Sequence, residues 1–281
     1  MRSETKTQAL FQIARRAALQ VMRVYSSDFG VEFKTPTDPI TEADRRANDV
    51  IVTALEALFP RTPIIAEESS NTNWESQRTA PEIFFVDPVD GTWEFVHKTG
   101  DFSVMIGLAG TERCECGVLL APARREAWLG SHETGAQHLL LDADLNPRTT
   151  RQLRFSAAKP ARAPRLVVSQ SDRSTLLQSC LEEVQPAQVY SVGSAGLKTM
   201  EVVMQRADAY LAPEHRGMRW DCCAPEAILT AAGGRFSDAS GQPLDYRAKS
   251  LKNLQGVLAA RPDYFPALTA KTTSIIKAHF A

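Results

Sequence analysis

The sequence predicts a mixed α/β protein with an α+β first half and an α/β second half. Apolar residues recur at helical spacing near the amino terminus, and short β-prone runs between residues 102 and 141 follow one another as in an antiparallel meander. Strand and helix patterns alternate in the second half. We predict an N-terminal domain, 1–150, and a C-terminal domain, 151–281, because the stretch 146–164 is rich in Pro, Arg and Ala and lacks periodicity.

Composition narrows the class of protein. The chain has 281 residues, enough for one large or two modest domains, and 43% of them are hydrophobic, so a full core can form. A formal net charge of −1 gives no general attraction to nucleic acid or membrane. The five cysteines form no C-x-x-C pair, so a reducing cytoplasm is expected rather than a disulfide framework or zinc site. The first residues lack an apolar signal core, and no apolar run approaches the roughly 20 residues of a membrane span. A monomer or homodimer is expected.

Two amphipathic helices are predicted at the start of the chain, over residues 3–27 and 41–58. The polar segment between them, up to Pro39, contains two prolines and is predicted to be a loop. Thr41 and Asp44 have the spacing of a helix capping box. Asp44 is therefore either an acidic residue of the first helical turn, which the helix dipole favours, or a carboxylate directed at a nearby site.

Acidic residues follow two apolar, β-prone runs. A short strand over 62–66 leads to Glu67 and Glu68, and a longer buried strand leads to Asp87 and Asp90. Each cluster alone is compatible with a solvated surface turn, since Asp, Pro and Gly are ordinary turn residues. Two acidic clusters that each end an apolar run nevertheless indicate one shared site, because unpaired charges beside an apolar interior are costly.

The turn after the longer run offers the ligands of a hard divalent cation. Asp87 and Asp90 flank Val89, whose carbonyl oxygen is available, and Gly91 and Thr92 follow directly. Mg²⁺ prefers carboxylate, carbonyl and water oxygens, and it commonly bridges protein carboxylates to a substrate phosphate. An Mg²⁺ site is therefore predicted here, with a plain surface turn as the alternative.

The remaining elements follow from the same patterns. A polar loop is predicted over residues 71–80, and the meander consists of strands 102–109, 115–121, 126–130 and 136–141. The second half is predicted as strand 165–169, helix 174–184, strand 189–192, helix 195–205, strand 209–212, helix 224–232, strand 256–259 and helix 264–278.

Two predicted helix starts in the second half carry polar residues. Ser194 and Lys198 lie in a glycine-containing turn, where backbone amides favour anions; the alternative is a plain turn with a solvated lysine. Asp221 lies just before the predicted helix 224–232, where an aspartate is more often a helix cap than a metal ligand. The residues alone leave both readings open.

Four motifs in sequence order resemble those of the inositol monophosphatase superfamily, a group of Mg²⁺-dependent, lithium-sensitive phosphatases. They are D-P-I-T-E-A-D at 38–44, I-I-A-E-E-S at 64–69, F-F-V-D-P-V-D-G-T at 84–92, and W-D-C-C-A-P at 220–225 with A-G-G at 232–234. The resemblance covers most of the chain and implies a layered αβαβα sugar-phosphatase fold with the site between its halves. The sequence contains no P-loop, G-x-G-x-x-G, G-x-S-x-G or H-E-x-x-H motif.

The resemblance also implies a role for each candidate residue. The implied ligands of two or three Mg²⁺ ions are Glu67, Asp87, Val89 through its carbonyl, Asp90 and Asp221. The implied catalytic residues are Asp44, Thr92 and Glu67, with Asp44 holding Thr92 so that its hydroxyl activates a water. The implied substrate contacts are Gly91, Thr92, Ser194, Lys198 and Asp221, and Arg216 or Arg219 is a further candidate to assist Lys198.

Residues beyond the D-G-T sequence indicate the substrate. Glu94-Phe95 and G-D-F-S-V at 100–104 are similar to the 3′(2′),5′-bisphosphate nucleotidase branch, the CysQ-type proteins that clear adenosine 3′,5′-bisphosphate. Trp93 departs from the lysine common in that branch, and the loop before Thr41 is slightly short. The implied activity is Mg²⁺-dependent hydrolysis of adenosine 3′,5′-bisphosphate to AMP and phosphate, with inositol- or sugar-phosphate hydrolysis as the runner-up. A non-catalytic binding protein is disfavoured because every acidic position is present.

Overall fold

The structure is a computed structural model that describes residues 3–36, 38–70, 73–156, 162–170, 172, 174–214 and 217–280. The helices within these ranges are α1 (Ser3–Tyr25), α2 (Glu42–Leu58), α3 (Trp74–Gln77), α4 (Thr92–Val96), α5 (Thr175–Val184), α6 (Ala195–Val203), α7 (Trp220–Ala231) and α8 (Phe265–Phe280). The strands are β1 (Val31–Thr35), β2 (Asp38–Thr41), β3 (Ile64–Ala66), β4 (Ile83–Asp90), β5 (Ser103–Ala109), β6 (Cys114–Ala121), β7 (Glu126–Ser131), β8 (Gly135–Leu141), β9 (Pro147–Leu153), β10 (Arg165–Val168), β11 (Gln188–Ser191), β12 (Ala209–Ala212), β13 (Arg235–Ser237) and β14 (Val257–Ala260).

These elements stack in five layers. α1 and α2 cover one face of a sheet with strand order β3-β4-β5-β6-β7-β8-β9, and α7 packs on its other face. α6 and α7 separate this sheet from a second one, with order β11-β10-β12-β14-β13, whose outer face packs on α5 and α8. The predicted αβαβα fold is therefore confirmed.

The strand that carries the central motif is buried along its whole length. Every residue of β4 is buried, because helices cover both faces of its sheet. β4 lies between β3, which pairs with it in parallel, and β5, which pairs with it antiparallel. The pairing with β5 becomes irregular between Asp87 and Asp90, so the chain leaves the regular ladder where the two aspartates are needed.

Some local predictions were wrong. The segment before Pro39 is not a loop but an antiparallel hairpin in which β1 pairs with β2, since Val31 and Phe33 supply β-prone positions. Part of the predicted loop 71–80 is the short helix α3 (Trp74–Gln77), and residues 71 and 72 lie outside the described residues. The strands β9 and β13 were not predicted. The first six residues of β9 are exposed, so its sequence shows no alternation of apolar and polar residues.

One error concerns the second half of the site. The helix predicted over 224–232 begins at Trp220, so Asp221 lies in its first turn rather than before it. Pro225 lies inside this longer helix, in its second turn, and has no amide hydrogen to donate to the carbonyl of Asp221 four residues earlier. The division of the chain into domains at residue 150 stays a prediction. Among the described helices, none is both long and apolar enough to cross a membrane.

Candidate active site

Three carboxylates converge where β4 meets α7. Each of Asp87, Asp90 and Asp221 offers an oxygen atom, and these atoms lie within 4.8 Å of one another. Asp87 and Asp90 are buried, and Asp221 is half-buried. The structure therefore brings Asp221 next to Asp87 and Asp90, although it follows them by more than 130 positions in the chain.

The electrostatics of this triad favour a bound cation. Burial, together with Glu67, Asp90 and Asp221, raises the pKa of Asp87 well above its usual range. Burial and the nearby Asp90 raise the pKa of Asp221 to about 6. Carboxylates this close repel one another unless they hold protons or a cation, so the donor set fits a hard metal ion.

Gly91 shapes the turn that follows the triad. Its φ of 95° lies in the left-handed region, and a Cβ there would lie 2.7 Å from the carbonyl oxygen of Asp101. A side chain at this position would also crowd the Ser194 Cβ at 3.3 Å. Glycine therefore lets the chain turn directly into α4, and Thr92 becomes the first residue of that helix.

Thr92 and Asp44 are hydrogen-bonded partners. The Thr92 hydroxyl lies 3.1 Å from Asp44 Oδ1 and 3.0 Å from the carbonyl oxygen of Val89. Asp44 Oδ2 accepts bonds from the backbone amide and the hydroxyl of Thr41, which completes the predicted capping box. Burial raises the pKa of Asp44, although the bonds from Thr41 work in the opposite direction. The cap thus holds one oxygen and turns the other towards Thr92.

Asp90 joins the two halves of the molecule. Its Oδ1 accepts a bond from the Ala195 amide at 3.0 Å, and its Oδ2 accepts one from the Gly196 amide at 2.8 Å and another from the Ser194 hydroxyl. These donors form the start of α6, where backbone amides lack intrahelical partners. Ser194 also caps that helix, accepting from the Leu197 amide at 3.0 Å, and holds a φ of 61° that is unusual for a non-glycine residue.

Glu67 lies beside the triad but has a different partner. Lys34, on β1, donates to Glu67 Oε1 at 2.6 Å and to Glu68 Oε1 at 2.7 Å. Burial raises the pKa of Glu67 to about 8 even though Lys34 lowers it. Glu67 lies close enough to Asp87 to raise the pKa of Asp87. Glu67 therefore faces the site, although its carboxylate contacts the ammonium group of Lys34.

Lys198 is buried rather than solvated. It lines a cavity of about 140 Å³ together with Ser169, Tyr210 and Asp221. Its Nζ lies 3.3 Å from the carbonyl oxygen of Val192 and 5.5 Å from the centroid of the Tyr210 ring. The cavity therefore connects the acidic triad to a cation in the second half. Arg216 lies outside the described residues, and Arg219 is buried and bonded to Asn253.

Three residues near the site were missed by the sequence analysis. Lys34 was predicted to lie in a loop, and only its place on β1 directs it to Glu67. Glu94 was noted only as part of the family resemblance. It packs on Gly193, and a Cβ at Gly193 would lie 2.3 Å from Glu94 Cγ. Gly217 has a φ of 67° and leaves room for Asp221, because a Cβ at Gly217 would lie 2.0 Å from Asp221 Oδ2. The contacts of Lys34 and Glu94 join distant segments, so the sequence contains no local signal for them, whereas Gly217 lies only four residues before Asp221.

Comparison with known proteins establishes the family. The model of the inositol monophosphatase family matches residues 3–276. The chain belongs to the inositol monophosphatase family. The resemblance predicted from the four motifs is confirmed, and membership makes the chain a phosphatase, a hydrolase of phosphoric monoesters.

Within this family, the chain is similar to proteins named 3′(2′),5′-bisphosphate nucleotidase CysQ. It is 32% identical to the one from Escherichia coli K12 over 239 residues, which cover 84% of this chain and 91% of the relative. It is 28% identical to the one from Aggregatibacter actinomycetemcomitans over 264 residues, covering 92% and 93% of the two chains. The crystal structure of CysQ from Bacteroides thetaiotaomicron matches with a TM-score of 0.76 at 25% identity, covering 91% of this chain and 97% of that one.

Proposed function

We propose that this protein is a Mg²⁺-dependent 3′(2′),5′-bisphosphate nucleotidase that converts adenosine 3′,5′-bisphosphate to adenosine 5′-monophosphate and phosphate. The observation that carries the proposal is the cavity shared by Lys198 and Asp221. This cavity places a buried ammonium beside the acidic triad. In a substrate with two phosphates, one can therefore bind to the metal ions held by the triad and the other to Lys198. The names of the similar proteins support the same substrate class.

We infer that the triad, with Glu67 and the carbonyl of Val89, holds two or three Mg²⁺ ions. Burial and mutual repulsion raise the pKa values of Asp87 and Asp221, and the repulsion is relieved when a cation binds. Bound Mg²⁺ supplies positive charge that stabilises phosphate oxygens and makes a neighbouring water more acidic.

Thr92 and Asp44 form a path for one proton. When the Thr92 hydroxyl donates to Asp44 Oδ1, its lone pairs are free to accept a hydrogen from an attacking water. The water loses that proton to Thr92 Oγ1 as Thr92 passes its own to Asp44. The raised pKa of Asp44, caused by its burial, suits a proton acceptor. The water oxygen bonds to phosphorus, the bond to ribose O3′ breaks, and O3′ takes a proton from solvent.

The second phosphate is assigned to the cavity in the second half. Its volume of about 140 Å³ equals that of four or five water molecules, which is enough for a phosphate group. Lys198 supplies the charge, and Ser169 and Tyr210 line the same space. Asp221 belongs to the triad and also lines this cavity, so it borders both phosphates in the proposed complex. The proposed partner is therefore a small phosphorylated molecule, while the monomeric or homodimeric state and the cytoplasmic location stay predictions.

Identification of the product tests this function. Purified protein is incubated with adenosine 3′,5′-bisphosphate and Mg²⁺, and the nucleotides are separated by chromatography. We expect adenosine 5′-monophosphate and one equivalent of phosphate, and no turnover in the presence of a chelator. The Asp87→Asn variant, purified in the same way, controls for a contaminating phosphatase. Formation of adenosine 3′-monophosphate, or turnover that resists chelation, would contradict the proposal.

A further inference from the structure

Trp93 is an exposed aromatic residue on α4, the short helix that begins at Thr92. Its side chain is 54% exposed, whereas the other three tryptophans, all within the described residues, are at most 8% exposed. The side chain of tryptophan is a large, mainly apolar ring system, which is ordinarily buried or part of a binding surface. Trp93 directly follows Thr92, the residue whose hydroxyl contacts Asp44.

The indole of Trp93 is held by its neighbours. Its ring lies 4.3 Å from the ring of His97, centroid to centroid, with 31° between the planes. His97 is fixed in turn, because its Nδ1 lies 2.8 Å from the carbonyl oxygen of Trp93. The two rings form a small stack on the outer side of α4, with indole surface left open to solvent. An aromatic platform held in this way loses little conformational freedom when a planar group stacks on it.

The chemistry of the substrate directs its base towards this region. In a nucleoside 3′,5′-bisphosphate the two phosphates leave the ribose from C3′ and, through C5′, from the adjacent C4′, whereas the base leaves from C1′ across the ring. One phosphate is assigned to Thr92 and the triad, and the other to the buried Lys198. With both phosphates directed inward, the base is directed outward. Phe33, an exposed aromatic residue of β1, alternates along that strand with Lys34, which bonds to Glu67, so Phe33 faces the other side of the hairpin.

We propose that Trp93 determines specificity by stacking on the nucleobase of the substrate. This inference rests on the proposed function and adds the recognition of the base to it. Base–aromatic stacking tolerates any base because every base has a π-face, so the expected preference is for nucleotides over base-free phosphates rather than for one base. The loss expected on truncation of such a platform is roughly 5- to 150-fold in kcat/KM.

The kinetic test compares two substrates that differ only in the base: adenosine 3′,5′-bisphosphate and methyl riboside 3,5-bisphosphate. Trp93→Ala is expected to lower kcat/KM for the nucleotide by the factor given above, mainly through KM, and to leave the base-free substrate within about twofold. Trp93→Phe should retain most activity because it keeps a π-face. Leu58→Ala is the matched control, since Leu58 is 55% exposed and ends α2 about 20 Å along the helix axis from Asp44.

The outcomes are distinguishable. An equal loss on both substrates would mean that Trp93 only supports Thr92, and it would overturn the stacking proposal while the nucleotidase function stands. Unchanged kinetics in Trp93→Ala would overturn it as well and leave the indole as a surface for some other contact. A wild-type enzyme that does not cleave the nucleotide would remove the proposed function, and the base-stacking inference with it.

Tryptophan fluorescence gives a readout independent of turnover. Because the other three tryptophans are buried, acrylamide quenching reports mainly on Trp93. Saturating adenosine 5′-monophosphate with Mg²⁺ is expected to change the emission and reduce quenching in the wild type, and to have no such effect in Trp93→Phe. Ribose 5-phosphate, which lacks the base, should give no protection. Full quenching of the wild type at nucleotide saturation, established by equilibrium dialysis, would overturn the proposal.

Discussion

Oδ2 of Asp90 accepts a hydrogen bond from the amide of Gly196 at 2.8 Å, although 106 positions separate the two residues. The other oxygen accepts from the amide of Ala195. A side chain proposed to bind metal therefore also supplies acceptors for amides at the start of α6, where intrahelical acceptors are missing. The position of Lys198, one turn into that helix, is tied to the D-G-T turn through the same carboxylate.

The first prediction separates two aspartates of the triad. Asp90→Asn should abolish activity and also lower the free energy of unfolding by about 1–3 kcal/mol, because an amide NH₂ would face one of the backbone N–H donors. Asp87→Asn should abolish activity without that loss, since an asparagine oxygen can still accept from the Val89 amide and the charge of Asp87 is repelled by its neighbours. Phosphate release and urea unfolding without metal measure the two effects. Equal metal-free stability of both variants would contradict this assignment.

The second prediction concerns the proton path. Thr92→Val should lower kcat by at least 100-fold, because removing a positioned proton-transfer group typically costs 10²- to 10⁴-fold. Thr92→Ser keeps the hydroxyl beside Asp44 and should retain most of the activity. Steady-state kinetics with the bisphosphate substrate measure both, and KM should change little. A Thr92→Val enzyme within tenfold of the wild type would exclude Thr92 as the proton acceptor.

The third prediction tests the second-phosphate cavity. Lys198→Ala should reduce kcat/KM for adenosine 3′,5′-bisphosphate by roughly 10- to 150-fold, since truncating a charge-assisted contact costs about 1.5–3 kcal/mol. Adenosine 3′-monophosphate lacks the second phosphate and should be affected little. The ratio of the two kcat/KM values, in wild type and variant, is the quantity to measure. An equal loss on both substrates would place Lys198 in support of the metal site or the fold instead.

The fourth prediction concerns pH in the absence of metal. The pKa values of Glu67 and Asp221 rise on folding from 4.5 and 3.8 to about 8 and about 6, mainly through burial. Between the unfolded and folded values the native state binds more protons than the unfolded state, so stability must fall as pH rises through that window. Thermal unfolding with EDTA should therefore show a lower Tm at pH 8 than at pH 6. Mg²⁺ should raise Tm more at pH 8, where fewer protons compete with it.

A matched variant makes this prediction specific. Glu67→Gln removes one of the two groups, and the metal-free Tm should then depend less on pH across the same range. The Glu56→Gln variant carries the same chemical change on α2, away from the triad, and should follow the wild type. A metal-free Tm that rises from pH 6 to pH 8 in the wild type would contradict the assignment of raised pKa values to these carboxylates.

Residues whose role is set by a local pattern could be predicted from the sequence. The Thr41–Asp44 cap depends on a spacing of three residues, and the turn at Gly91 depends on a glycine after two aspartates. The place of Asp221 in the site could be predicted only from the family resemblance, because the packing of α7 on the sheet brings it close to Asp87. Within the structure's described ranges, such long-range packing accounts for the features that sequence patterns did not indicate.

Lys34 and Lys198 illustrate what the sequence could not indicate. Lys34 lay in a stretch interpreted as a loop because of its prolines, and pairing of β1 with β2 is what carries its ammonium to Glu67. Lys198 was expected at a helix start where a solvated lysine is common, whereas α6 is enclosed between two sheets and buries it beside Tyr210. In both cases the charge of the side chain is recognisable from sequence but its partner is fixed only by tertiary packing.

The central claim is that this site hydrolyses a bisphosphate nucleotide, and the most direct test is the specificity of the purified wild type with Mg²⁺. The measurement is kcat/KM for adenosine 3′,5′-bisphosphate, inositol 1-phosphate and fructose 1,6-bisphosphate under one set of conditions. The proposed function predicts that the nucleotide is preferred over both sugar phosphates by at least tenfold, because only it engages the triad, Lys198 and Trp93 together. A preference for inositol 1-phosphate would contradict the claim and assign the chain to the inositol phosphatases of its family.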